Sequence, residues 1–193
     1  LHTTCRRQRQ MCIRDSIALV LVFVFANTKA ADLYVEEFGL APNFSSIQDA
    51  VDAAMPGDRI FVKNKPTGAP YFEHINIDKP IVLLPEQSNG FFKVQGEYTI
   101  TPEAANFDAT NNVIEIIGMH NLAGNIQTVA DNPAVPIITV KVFGCHLENG
   151  CINIQNHRFL AELHGNQLDE CGILIGLGDV VGNVVGGDIH VIQ

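Results

Sequence analysis

Apolar and polar residues alternate along much of the chain in short runs, and three such runs near its end are copies of one another. VKVFGCHLENGCINI begins at Val140, AELHGNQLDECGILI at Ala161 and GDVVGNVVGGDIHV at Gly178. Aligned on Gly144, Gly165 and Gly182, they share an apolar position, the glycine, a Cys or Asn, an apolar residue two further on, and a short I-x-I or I-x-V strand. The glycines are spaced by 21 residues and then by 17. Alternation of this kind predicts strands with one buried face. Its repetition at this interval predicts the stacked rungs of a solenoid, in which each copy buries its apolar face only against its neighbours. VIEIIGMHNLAGNIQTV reads as a degenerate earlier rung, with Gly118 and Ile126 corresponding to Gly144 and Ile152 and one residue inserted.

Upstream, ADLYVEEF predicts a short strand and residues 39–43 a turn. Ser45 and Ser46 then precede IQDAVDAA, in which Ile47, Ala50, Val51 and Ala54 recur at helical spacing with Asp49 near the start. That pattern predicts a short amphipathic helix, stopped by Pro56-Gly57-Asp58. Strands are predicted at 59–62, in FEHINID (72–78) and in IVLLPE (81–86), the last two separated by a Lys79-Pro80 corner. Further strands are predicted at 91–94, 98–101, 113–117 and 137–142, while PEAANFDATNN and DNP predict loops that leave the stack. V-x-V-x-x-C-x-L at 140–147 and L-x-x-N-x-L at 163–168 also match part of a leucine-rich repeat. Such a repeat continues into a helical or irregular return, whereas Gly150 and Gly172 lead almost at once to Ile152-x-Ile154 and Ile173-x-Ile175, which favours a β-helix.

FSSIQDAVDAAMPGDRIFV, YFEHINIDKPIVLLPE and rungs of the V-x-G-N-x-L-x-x-x-G-I-x-I type resemble the right-handed parallel β-helix proteins of the pectin-lyase-like superfamily, across residues 44–191. The resemblance implies an all-β fold, a single-stranded right-handed parallel β-helix with a short N-terminal capping helix. It implies a protein that binds or processes extracellular or cell-surface polysaccharide; the alternative is a non-catalytic, structural or adhesin-like surface solenoid. Lyases, esterases, epimerases, glycosidases and adhesins share this look, so the fold assigns no activity. The glutamine and aspartate motifs of pectinesterases are absent, and Gln127 in GNIQTVA does not replace them. Lyases of this fold combine calcium with a basic residue; His157 and Arg158 are the nearby candidates and sit in no lyase motif.

Composition adds a processing history. MCIRDS at 11–16 is what ATGTGTATAAGAGACAG encodes, a sequence resembling a transposase adapter, so residues 1–16 read as translated adapter rather than gene. Residues 17–30 read as a secretory signal, with Thr28 and Ala30 at the small positions before cleavage. The apolar run has ten residues where a membrane span needs about 20, so no permanent anchor is expected. Residues 31–193 form the expected β-helix domain, truncated at its C-terminus because IHVIQ ends within a strand. An exported bacterial protein, secreted or at the cell surface and monomeric, is the expectation. From Ala31 onward 7 lysines and arginines face 20 aspartates and glutamates, a formal charge of −13, which leaves no basic face for nucleic acid.

Because rungs stack in register, aligned residues become neighbours. Glu148 falls on Asp169, with Glu170 adjacent and Asp188 near on the next turn, a cluster that could hold calcium, a cation needing several oxygen ligands. No other cofactor is required. Lys141, Glu162 and Asp179 form a second ladder, read as an ordinary outward face with a partial ion pair. Cys145 stacks on Asn166 and Asn183, turn residues able to satisfy backbone groups. Cys151 and Cys171 lie one register apart on adjoining rungs; a bridge between them is geometrically allowed, with buried free thiols the favoured state. His74, His120, His146, His157, His164 and His190 show no metal-ligand spacing and fall on different aligned positions, as surface or turn residues.

Overall fold

Parallel strands joined in a coil, each turn of chain lying on the one before, build this protein. A computed structural model describes residues 30–88, 90–129 and 133–191. The adapter-like residues 1–16 and the signal run lie outside the described residues, apart from Ala30, and of the DNP loop only Pro133 is described. Strand β1 (Asp32–Val35) and helix α1 (Ile47–Ala53) come first. The following strands are β2 (Arg59–Val62), β3 (Tyr71–Phe72), β4 (Ile75–Ile77), β5 (Val82–Pro85), β6 (Phe92–Gln95), β7 (Tyr98–Ile100), β8 (Val113–Ile117), β9 (Met119–Asn121) and β10 (Ile126–Thr128). Then come β11 (Ile138–Phe143), β12 (His146–Leu147), β13 (Ile152–Ile154), β14 (Phe159–His164), β15 (Gln167–Leu168), β16 (Ile173–Ile175), β17 (Leu177–Val181), β18 (Val184–Val185) and β19 (Ile189–Val191).

These strands sort into three parallel sheets. The first has the order β1-β2-β5-β8-β11-β14-β17, the second β3-β6-β9-β12-β15-β18 and the third β4-β7-β10-β13-β16-β19. From β2 onward every third strand returns to the same sheet, and the chain makes about six turns of a parallel β-solenoid.

Inward positions stack like on like. On the first sheet Ile60, Leu83, Ile116, Val142 and Leu163 follow one another in register and are all fully buried. On the third, Ile75, Tyr98, Ile126, Ile152 and Ile173 do the same. Neighbouring rungs are about 4.8 Å apart, so branched side chains nest against the copy above and below. Each fully buried Ile or Leu contributes roughly 2 kcal/mol from the area removed from water. Helix α1 is capped by Ser46, whose Oγ accepts from the Asp49 N–H, and it presses Ile47, Ala50 and Val51 into this core. The buried Lys79 sets its ammonium against the Asp52 and Ala54 carbonyls at the helix end, 3.3 Å from each.

The degenerate rung is more regular than its sequence suggests. Ile126 pairs with Ile152 and Ile117 with Phe143, so Gly118 and Ile126 fall on Gly144 and Ile152 with nothing inserted between them. Gly118, Gly144, Gly165 and Gly182 all adopt the left-handed backbone, with φ of 59°, 59°, 63° and 65°. That shared conformation is why glycine recurs there. The shorter second spacing arises at one corner: residues 155–158 link β13 to β14, whereas Gly176 alone links β16 to β17. The run 72–78 is two strands, not one, because the chain bends at Glu73-His74 between the second and third sheets.

The structure corrects the expected state of two cysteines: Cys151 and Cys171 are joined in a disulfide, their Cα atoms 5.1 Å apart. The stagger of one register between adjoining rungs brings the side chains together. Cys145 is a buried free thiol, pushed up to about 12 chiefly by its burial and therefore unreactive. Its expected ladder is present. The Cys145 N–H donates to Asn166 Oδ1 at 2.9 Å, the Asn166 N–H to Asn183 Oδ1 at 2.8 Å, and the Asn166 amide to the Val142 carbonyl at 2.8 Å.

Two tests follow from this packing. A Cβ on Gly150 would lie 2.0 Å from the Gly124 carbonyl oxygen, whereas one on Gly144 meets nothing within 4 Å. Gly150→Ala is expected to cost about 3 kcal/mol in urea unfolding and Gly144→Ala only about 1 kcal/mol, from backbone conformation alone. The disulfide closes a loop of 20 residues, so reduction is expected to cost about 3 kcal/mol. Alkylation of the unreduced, unfolded chain, read by peptide mass spectrometry, is expected to label Cys145 and spare Cys151 and Cys171.

Candidate functional site

Two faces of the solenoid carry titratable groups close together, and both lie on or beside the second sheet. Its outward positions form one row running Lys93, His120, His146 and Gln167 along the long axis. The imidazoles of His120 and His146 stack with centroids 4.6 Å apart and planes 9° from parallel. Each is tied to a carboxylate one turn further on: His120 Nε2 to Glu148 Oε1 at 2.8 Å, and His146 Nε2 to Asp169 Oδ2 at 2.8 Å. The two histidines share an aligned position, contrary to the expectation that all six fall on different ones. Both stand two residues after their glycine, Gly118 and Gly144.

This pairing decides what the acidic cluster can do. Glu148 and Asp169 do follow one another on successive turns, but each carboxylate is engaged by an imidazole, and Asp169 also accepts from Gln167 Nε2 at 2.8 Å. Glu170 is exposed at the turn. Among the described residues no group of three or more His, Cys, Asp or Glu side chains is placed to hold a metal. The arrangement is a histidine–carboxylate ladder in which Glu148 and Asp169 each face an imidazole. The hydrogen bond from Gln167, followed by that from His146, holds the Asp169 carboxyl below its ordinary value.

On the first sheet, Lys141 stands between Glu115 and Glu162, 3.6 Å and 3.5 Å from them, with Asp179 next in register. The expected ladder is thus present and is longer by Glu115. At the other end Arg59 pairs with Asp32 at 2.7 Å. The remaining candidates are local: Arg158 donates through Nη1 to the Val135 carbonyl at 3.3 Å, and His164 packs on Phe143.

A concave feature lies elsewhere among the described residues, at the corner between the second and third sheets. A cleft of about 450 Å³ opens there among Phe72, Glu73, His74, Gln95 and Glu97, floored by Gly96, Ala123 and Gly124. Sequence pattern alone left these residues out, because they belong to three different turns. The floor is glycine for a steric reason. A Cβ on Gly96 would sit 1.8 Å from the Glu73 carbonyl oxygen, and one on Gly124 would sit 2.2 Å from that of Gly96.

Beneath the floor lies Asn121, fully buried at a position that is leucine in the next two turns, Leu147 and Leu168. Its Nδ2 donates to the Gly96 and Gly124 carbonyls at 2.9 and 3.0 Å, and its Oδ1 accepts from the Gly96 N–H at 3.4 Å. A buried amide is tolerated when its hydrogen bonds are made, and here they pin the two glycine corners that shape the cleft. The rim is equally fixed. Glu73 Oε2 accepts from Ser46 Oγ at 2.9 Å and from the Gln48 N–H at 3.0 Å, tying the cleft to the start of α1. Glu97 accepts from Asn125 at 3.3 Å and from Gln127 at 2.8 Å. The Glu97 N–H donates to His74 Nδ1 at 3.2 Å.

Comparison with protein-family models, with curated proteins and with solved structures finds no match to this chain. No helix among the described residues is long and apolar enough to cross a membrane.

The ladder can be checked by its titration. A carboxyl whose pKa is lowered on folding favours the folded state above the unfolded value, and that preference is lost as pH falls through the lowered one. Carbon-detected NMR is expected to place the Asp169 midpoint below the ordinary 3.8. Gln167→Ala and His146→Ala are each expected to raise it.

Proposed function

We propose that the chain is an exported, monomeric protein of the pectin-lyase-like kind that binds extracellular or cell-surface polysaccharide in the cleft beside Phe72. In this reading it winds as a single-stranded right-handed parallel β-helix whose first turn is covered by α1. The cleft is the observation that carries it. The Phe72 ring is 68% exposed, next to carboxylate, amide and imidazole groups held in place by their own hydrogen bonds. Sugar rings present an apolar C–H face and a rim of hydroxyls, which suits one aromatic platform with a few placed polar groups. The disulfide supports export, since such bonds persist in oxidising compartments. No lysine or arginine lines the cleft, which favours binding over proton abstraction beside a uronate.

A structural or adhesin-like solenoid is the second reading, favoured by the outward ladders. Glu115–Lys141–Glu162, His120–Glu148 and His146–Asp169 satisfy one another and leave little for a ligand.

Affinity electrophoresis through gels containing neutral, acidic and amino polysaccharides tests the proposal. At least one polymer is expected to retard the chain, and Phe72→Ala is expected to weaken that about fivefold without shifting the melting temperature. A chain retarded by no polymer overturns the polysaccharide reading in favour of the structural one. Acidic polymers incubated with calcium are expected to yield no ultraviolet-absorbing unsaturated uronates. Their appearance would turn the binder into a lyase.

A further inference from the structure

The charges around the cleft narrow its ligand further than a polysaccharide in general. Two carboxylates, Glu73 and Glu97, stand on its rim. Their hydrogen bonds fix where they point but bring no positive charge: the donors are a hydroxyl, a backbone N–H and two amides. His74 Nδ1 is occupied as the acceptor of the Glu97 N–H. Some outward carboxylates elsewhere on the solenoid do meet a lysine or an imidazole, as Glu115, Glu162, Glu148 and Asp169 do. The cleft is where fixed negative charge is left uncompensated beside an exposed aromatic ring. The surrounding exterior, at −13 from Ala31 onward, adds a field of the same sign.

A uronate polymer would bring a carboxylate per sugar against this charge, at distances within a Debye length. An amino-sugar polymer brings an ammonium instead, with the same apolar ring face for Phe72 and hydroxyls for Gln95 and His74 Nε2. Resting on the glycan-binding reading above, we infer that the cleft selects a cationic amino-sugar glycan, of the glucosamine type, over neutral and uronate glycans. Glu97 and Glu73 take the ammonium groups, Phe72 takes the ring face, and Asn121 is a positioning residue that holds Gly96 and Gly124 beneath them.

Isothermal titration of the full chain with glucosamine, N-acetylglucosamine and galacturonate oligomers of equal length is the test. The glucosamine oligomer is expected to bind at least about tenfold more tightly than the other two, and to lose about tenfold between low and half-molar salt. Since an acidic exterior attracts any polycation, Phe72→Ala is the deciding variant: it changes no charge and is expected to weaken binding about fivefold. Glu97→Gln is expected to weaken glucosamine binding while sparing what little affinity the N-acetylated oligomer has. If Glu97→Gln fails to fold, the salt dependence and Phe72→Ala still decide. Equal binding of the N-acetylated oligomer, or tighter binding of galacturonate, overturns the inference and leaves the glycan-binding reading standing. Glucosamine binding indifferent to Phe72→Ala overturns it as well, by placing the ligand on the general acidic surface. Binding of none of the three, together with no retardation by any polysaccharide, removes both.

Discussion

Parallel pairing of each turn on the next is the constraint from which the rest of this structure follows. A strand in such a stack gives its backbone hydrogen bonds to neighbours about 4.8 Å away on either side. Every side chain therefore lives between the residues one turn earlier and one turn later, not beside its neighbours in sequence. Inward, this produces columns such as Ile60-Leu83-Ile116-Val142-Leu163, where similar shapes nest and the core extends by repetition. Outward, it turns isolated charges into ladders. Lys141 is placed between Glu115 and Glu162 by register alone, and His120 is laid flat on His146 by the same rule.

Corners obey a second requirement, that the backbone of one turn pass close over the next. Gly96, Gly124 and Gly150 sit where a Cβ would strike a carbonyl of the adjoining turn. Gly118, Gly144, Gly165 and Gly182 are glycine instead for their left-handed backbone. The two kinds divide the labour of bending the chain. Where the first kind clusters, the surface loses side chains and a hollow forms, and Asn121 holds that hollow from inside with an amide in place of the leucine used in later turns. A buried amide in an otherwise apolar core carries a desolvation cost that its three hydrogen bonds must offset. Its presence under the cleft, and its replacement by Leu147 and Leu168 elsewhere, ties the exception in the core to the concavity at the surface.

Much of this was legible before any coordinates. Alternation and the recurring Gly144, Gly165 and Gly182 carried the solenoid, the helix start at Ser46, and the Cys145-Asn166-Asn183 and Lys141-Glu162-Asp179 ladders, because strict register converts sequence alignment into contact. What was not legible failed for identifiable reasons. His120 and His146 each stand two residues after their glycine, Gly118 and Gly144, a match that the expected insertion in the earlier rung left unread, and with it the partners of Glu148 and Asp169. Two cysteines one register apart look like separate thiols until the stagger between rungs is known. The cleft was out of reach altogether, since Phe72, Gln95 and Ala123 belong to turns whose spacing is irregular and whose strands are two to four residues long.

Charge distribution joins these levels. Some outward carboxylates of this acidic chain meet a partner within their own row: Glu115 and Glu162 at Lys141, Asp32 at Arg59, Glu148 at His120 and Asp169 at His146. Each such pair is modest in water. Glu73 and Glu97 are satisfied differently, by hydroxyl, amide and backbone donors that orient a carboxylate without cancelling its charge. The same neutral donors anchor the start of α1 and the third sheet, so the rim is rigid because the fold is. Uncancelled charge held at a rigid hollow is focused there, and the exposed Phe72 side chain lies beside it.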